Sequence, residues 1–204
     1  LSTSAFKSLA ASMGPMLKEE SFHLGTGSNG LRRIIKAGVI PLDMLQRYIN
    51  KWVSTAHDLF GVDASSSAHW AYVWGIKGRW DERKKLDSGI EVNKETLNEE
   101  SRGHYHDEIV LEVEKLSKYL PEGSTKLYVP HENFNRDIGS AKGQRFTTDG
   151  DVFVGSDEDW ENYLYDVLPR SQDEEDLKEL FKQEWIANKP MSARQIESRI
   201  GASI

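Results

Sequence analysis

The sequence predicts a mainly α-helical protein carrying one small β-hairpin. Three observations lead there. Apolar residues recur at three- and four-residue spacings over long segments, glycine and proline punctuate the gaps between them, and a single stretch alternates about an Asp-Gly pair.

The first helix is expected from Ser4 to about Leu24, interrupted or started near Gly14-Pro15 and stopped by the run Gly25 to Gly30. A short helix, Leu31 to Ala37, should end at Gly38. Pro41 suits the first turn of a helix whose apolar stripe runs through Leu45, Tyr48, Ile49, Trp52, Val53, Ala56 and Phe60. His57 lies on the flank of that stripe, where a partly buried packing histidine is expected. Asp63 to Ser67 reads as a loop and helix cap. A strongly aromatic stretch, Ala68 to Trp80, follows and runs into Arg83, Lys84 and Lys85.

Leu97 to Leu120 reads as a long helix closed by Pro121-Glu122-Gly123. Beyond it the texture changes. Gln144 to Val154 is expected to form the hairpin, turning on Asp149-Gly150, and short acidic helices should lie around 157–167 and 173–185. The expected organisation is therefore 1–120 as amphipathic helices and 121–204 as an extension with the hairpin and acidic helices.

Composition removes several functional classes. With 33 acidic against 26 basic residues the net charge is -7, which disfavours a general nucleic-acid binder. There is no cysteine, so disulfides, thiolate zinc sites, iron–sulfur clusters held by this chain and a thiol nucleophile are excluded. No apolar run reaches transmembrane length and no signal peptide is visible, so the expected location is the cytoplasm, without a membrane partner. Gly25-Thr26-Gly27 follows a helix rather than a strand, unlike a dinucleotide fingerprint.

The residues that carry chemistry sit in the first helix. Leu9, Met13, Met16, Glu20 and His23 fall on one helical face, which places a carboxylate and an imidazole one turn apart in an otherwise apolar stripe. Burying such groups is costly unless they pair or bind metal. A Glu-x-x-His pair is one unit of the carboxylate di-iron design, in which two helices each give Glu-x-x-His and two others each give an acid. Spacing alone leaves open a solvated Glu20 and a satisfied core histidine at position 23. A second cluster, His104, His106, Asp107 and Glu108, invites a metal reading, but its two histidines point to different helical faces, and a solvated polar face is expected. The aromatic wall of 68–80 beside cations suits an aromatic acyl group or an adenine with phosphates; a core helix ending in a basic turn has the same pattern.

In order along the chain, Leu17-Lys18-Glu19-Glu20-Ser21-Phe22-His23-Leu24-Gly25-Thr26-Gly27, then Gly75-Ile76-Lys77-Gly78-Arg79-Trp80, then Tyr128-Val129-Pro130-His131-Glu132-Asn133-Phe134-Asn135-Arg136-Asp137-Ile138-Gly139, then Leu168-Pro169 and Trp185-Ile186-Ala187, resemble the C-terminal half of the benzoyl-CoA 2,3-epoxidase oxygenase component family. The resemblance implies the C-terminal part of a ferritin-like helical bundle, a non-haem di-iron centre, and epoxidation of an aromatic acyl-CoA ring with O2. It also implies a separate reductase component carrying FAD and iron–sulfur centres and using NADPH. Glu20 and His23 match the family's second Glu-x-x-His and would be metal ligands. The family's other acids and its first Glu-x-x-His have no counterpart after Leu1, so the chain is expected to be a C-terminal fragment, inactive alone. Lys77, Arg79 and Arg83 are the candidates for the phosphates of a CoA thioester. A related oxygenase of another acyl-CoA such as phenylacetyl-CoA, a non-catalytic helical binding module, and a metal enzyme built on His104, His106 and Asp107 are the alternatives.

Overall fold

A computed structural model describes residues 1–2, 4–76 and 96–182. As expected it is mainly helical: α1 (Lys7–Ala37), α2 (Leu42–Asp58), α3 (Ser66–Val73), α4 (Leu97–Ser117), α5 (Asp157–Val167) and α6 (Ser171–Phe181). The chain divides into two compact units, Leu1–Pro169 and Arg170–Ile204.

In the first unit α1 packs against α4, and α2 against α5. Ile35 of α1, Leu45 of α2, Val113 and Leu116 of α4 and Leu127 form the core, with Leu31, Ile49, Ile109, Leu120 and Val129 packed around it. The stripe foreseen on α2 is real: Leu45 and Val53 are buried, whereas Trp52 stays exposed.

Helix α1 departs from expectation by running unbroken through Pro15 and through Gly25, Gly27 and Gly30. A glycine ends a helix only where it takes the left-handed conformation, and none of these three does. Gly38 does, at φ 64°, and its N–H donates to the carbonyls of Ile34 and Ile35. Each internal glycine costs roughly 1 kcal/mol relative to alanine, and burial of Leu31 and Ile35 at the C-terminal end outweighs it locally. The other end is pinned by Gly75, whose carbonyl accepts from the Ala5 N–H (2.7 Å) and the Ser4 hydroxyl (3.1 Å).

The Ser65 cap is as expected, its hydroxyl accepting from the Ala68 N–H at 3.1 Å. Helix α5 starts with a reciprocal capping box between Ser156 and Asp159.

The hairpin is not formed. The chain turns at Asp149-Gly150, but pairing is limited to one isolated antiparallel bridge, Phe146 to Val152. The turn is anchored by long-range partners instead: the Thr148 N–H donates to the Tyr163 hydroxyl (2.7 Å) and the Thr148 carbonyl accepts from the His131 N–H (2.8 Å), which docks it onto α5 and the 131 segment. No helix among the described residues is long and apolar enough to cross a membrane.

Candidate functional site

Glu20 and His23 project from α1 one turn apart, Oε2 and Nδ1 separated by 3.6 Å. Their side chains are 70% and 58% exposed, so the expectation of a buried stripe is overturned. Met16, Leu17 and Leu24 beside them are exposed as well. Further along the helix the same stripe reaches Leu31 and Ile35, which enter the core. One face of α1 is thus covered at its C-terminal end and bare where the Glu-x-x-His pair lies. A carboxylate and an imidazole 3.6 Å apart on that face are donors of the kind iron takes, and they are two of the six side chains that the carboxylate di-iron design uses. Among the described residues no group of three or more histidines and acids is placed to hold a metal.

The second cluster does not converge either. His104 pairs with Glu108 along α4 (3.4 Å), while His106 turns inward to His57, Nδ1 to Nε2 3.4 Å. The expectation of a uniformly solvated face therefore fails at His106. Lys77, Arg79 and Arg83 lie outside the described residues. Of the aromatic stretch, Trp70 on α3 and Trp74 just after it lie with ring centroids 5.5 Å apart, tilted at 33° and both exposed, and His69 stands edge-on to Trp70.

What sequence reading missed is a polar knot at the C-terminal end of α2. Arg136 is buried; its Nε donates to Asp58, Nη1 to the Glu132 carbonyl (3.0 Å) and Nη2 to the His57 carbonyl (3.4 Å). Asp58 also accepts the Asp137 N–H (2.8 Å), and Arg102 reaches Glu132 (3.2 Å). His57, fully buried, is held well below the usual histidine range, at about 3, first by burial and then by His106, Arg136 and Arg102. The signal was present: the segment Glu132 to Asp137 mixes charged and apolar residues without helical period, as a loop does when its side chains tie elements together.

No family model matches the chain. The resemblance read from the sequence is nonetheless borne out: the chain is 28% identical over 214 aligned residues to benzoyl-CoA oxygenase component B of Aromatoleum evansii, covering 85% of this chain and 45% of that protein. The chain thus spans a little under half the length of the relative it matches.

Proposed function

We propose that the chain is the C-terminal part of the oxygenase component of an enzyme that epoxidises the ring of benzoyl-CoA with O2, in aerobic aromatic degradation. The observation that carries this reading is the similarity to benzoyl-CoA oxygenase component B, with the Glu-x-x-His pair set on a bare, apolar helix face.

In this reading α1 is one helix of a ferritin-like bundle, and its bare face meets the other helices of that bundle. Glu20 and His23 hold iron, with the remaining acids and histidine supplied from those helices. When bound, a non-haem di-iron centre supplies the redox chemistry that activates O2. The Glu20 carboxylate offsets metal charge, and the neutral His23 ring gives one nitrogen. Met13, Met16 and Leu24 exclude water once the face is covered. Lys77, Arg79 and Arg83 bind the CoA phosphates, and electrons arrive from NADPH through a reductase partner with FAD and iron–sulfur centres. The site works in the cytoplasm.

Iron content of the full-length protein is the test. Glu20→Ala and His23→Ala should each abolish stoichiometric iron, and iron retained at the wild-type level would sink the assignment. Charge reversal at Lys77, Arg79 and Arg83 should raise KM for the acyl-CoA; an unchanged KM would remove them from the substrate site. The exposure of Glu20 and His23 favours a second reading, a helical binding module without metal, which predicts an iron-free full-length protein.

A further inference from the structure

His57 lies in the last turn of α2, and its ring meets that of His106 on α4 with centroids 5.4 Å apart; the Tyr105 ring stands edge-on at 5.8 Å. His57 has no exposed surface, and its Nδ1 finds no hydrogen-bond partner. Its Nε2 and His106 Nδ1 lie 3.4 Å apart, and a hydrogen bond between them needs one proton, carried by one of the two rings. Were that proton on His106, the proton of His57 would sit on Nδ1 as a buried N–H with no acceptor. The less costly arrangement has His57 donating from Nε2 and leaves only a lone pair at Nδ1.

The groups facing the pair are Asp58 from α2, Arg102 and Tyr105 from α4, and Glu132 and Arg136 from the segment between α4 and α5. Glu132 is engaged by Arg102 and Asp58 by Arg136, so the carboxylates are already matched by cations. Asp58 favours a proton on His57, but burial, His106 and the two arginines outweigh it.

We propose that the His57–His106 contact is an acid-operated latch between α2 and α4, shut while both rings are neutral and opened by proton uptake. His106 is only partly buried, so its ring is the one of the two that solvent reaches. Once its Nδ1 carries hydrogen, two N–H donors face each other. Relief comes either by moving the His57 proton to the orphaned Nδ1 or by parting the rings. Both disfavour the closed seam, and in the open seam both rings regain water. The open form therefore binds more protons, and acid favours it. The sign follows from His57: its folded value is depressed, so its contribution is complete above the ordinary histidine value of 6.5 and declines as pH falls toward about 3. The latch is independent of the reaction proposed above.

The test uses ring-nitrogen NMR and amide hydrogen exchange on the wild-type protein. At pH 7.5, His57 should carry its proton on Nε2 and show a bare Nδ1. Protection of the Ser54–Asp58 amides, corrected for intrinsic exchange, should fall up to about tenfold per pH unit below 6.5. In His57→Leu that slope should vanish while exchange elsewhere keeps its wild-type pH dependence. A proton on His57 Nδ1, protection that stays flat between pH 6.5 and 5, or an undiminished slope in His57→Leu would each overturn the latch. The wild-type measurements decide by themselves if the variant does not fold.

Discussion

Gln46 and Tyr128 exchange two hydrogen bonds: Gln46 Nε2 donates to the Tyr128 carbonyl (2.9 Å), and the Tyr128 N–H donates to Gln46 Oε1 (3.0 Å). A side-chain amide on α2 thus substitutes for a neighbouring strand, satisfying the backbone of an extended segment that has no sheet to join. One turn on, Asn50 repeats the device by donating to the Val167 carbonyl (2.9 Å), and Gln46 steadies it with a 2.8 Å bond to its Oδ1. Replacing Gln46 with Ala should cost about 1–2 kcal/mol, read as a lower urea midpoint at unchanged slope. Gln46→Glu is the sharper variant. Its carboxylate accepts from Tyr128 but cannot donate to the carbonyl, so its deficit should shrink as pH drops through the carboxyl range; a pH-independent deficit would refute the pairing.

Arg136 and Asp58 form the charged pair of the knot that ties α2 to the segment following α4. Removing one partner leaves the other charged and poorly hydrated, so Arg136→Met should destabilise by about 3–5 kcal/mol. Asp58→Asn should cost somewhat less, because the amide can still accept the Asp137 N–H. The double variant should fall well short of the sum of the two, and a double-mutant cycle measured by denaturant unfolding gives the coupling directly. Additive losses would mean that the pair is not energetically linked.

Helix α1 should be the least uniform element. Its C-terminal turns enter the core through Leu31 and Ile35, whereas Met16, Leu17, Phe22 and Leu24 face water. A bare helical stretch with a proline and several glycines is marginal by itself. Amides near 12–24 should therefore exchange with little protection, and those near 33–37 with protection close to that of α4. Uniform protection along α1 in this chain would show that its bare face is covered.

How far the sequence could be read depends on the range of the forces involved. The placement of α2, α4 and α5, the Ser65 cap and the stop at Gly38 were legible because each is set by neighbours within a few residues. The continuity of α1 through Gly25 to Gly30 was not, since glycine permits a stop without enforcing one. The docking of the turn at 147–151 was hidden because Thr148 is held by Tyr163, a long-range partner. His106 was misread for the same reason: periodicity shows that it and His104 differ in face, but only the fold places His57 beneath one of them. The Glu20 and His23 pair was found by local spacing, whereas its exposure is a property of what packs against α1.

Gly150 offers the cleanest local test of the turn that replaces the hairpin. Its φ is 94°, a conformation that L side chains rarely adopt, and a Cβ there would stand 2.6 Å from the His131 ring. The ring cannot retreat freely, because the His131 N–H is bonded to the Thr148 carbonyl (2.8 Å) and its Nδ1 accepts the Asn133 N–H (3.2 Å). Gly150→Ala therefore combines backbone strain with a steric clash, and a loss of about 2–4 kcal/mol is expected. Gly143 is the matched control: its φ is also positive, 70°, but nothing lies within 4 Å of an added Cβ. Gly143→Ala should cost only the strain, about 1 kcal/mol. Thermal unfolding of the two variants separates the contributions. Equal losses would mean that His131 yields without penalty, and that the Thr148–His131 bond does not hold the turn against the segment following α4.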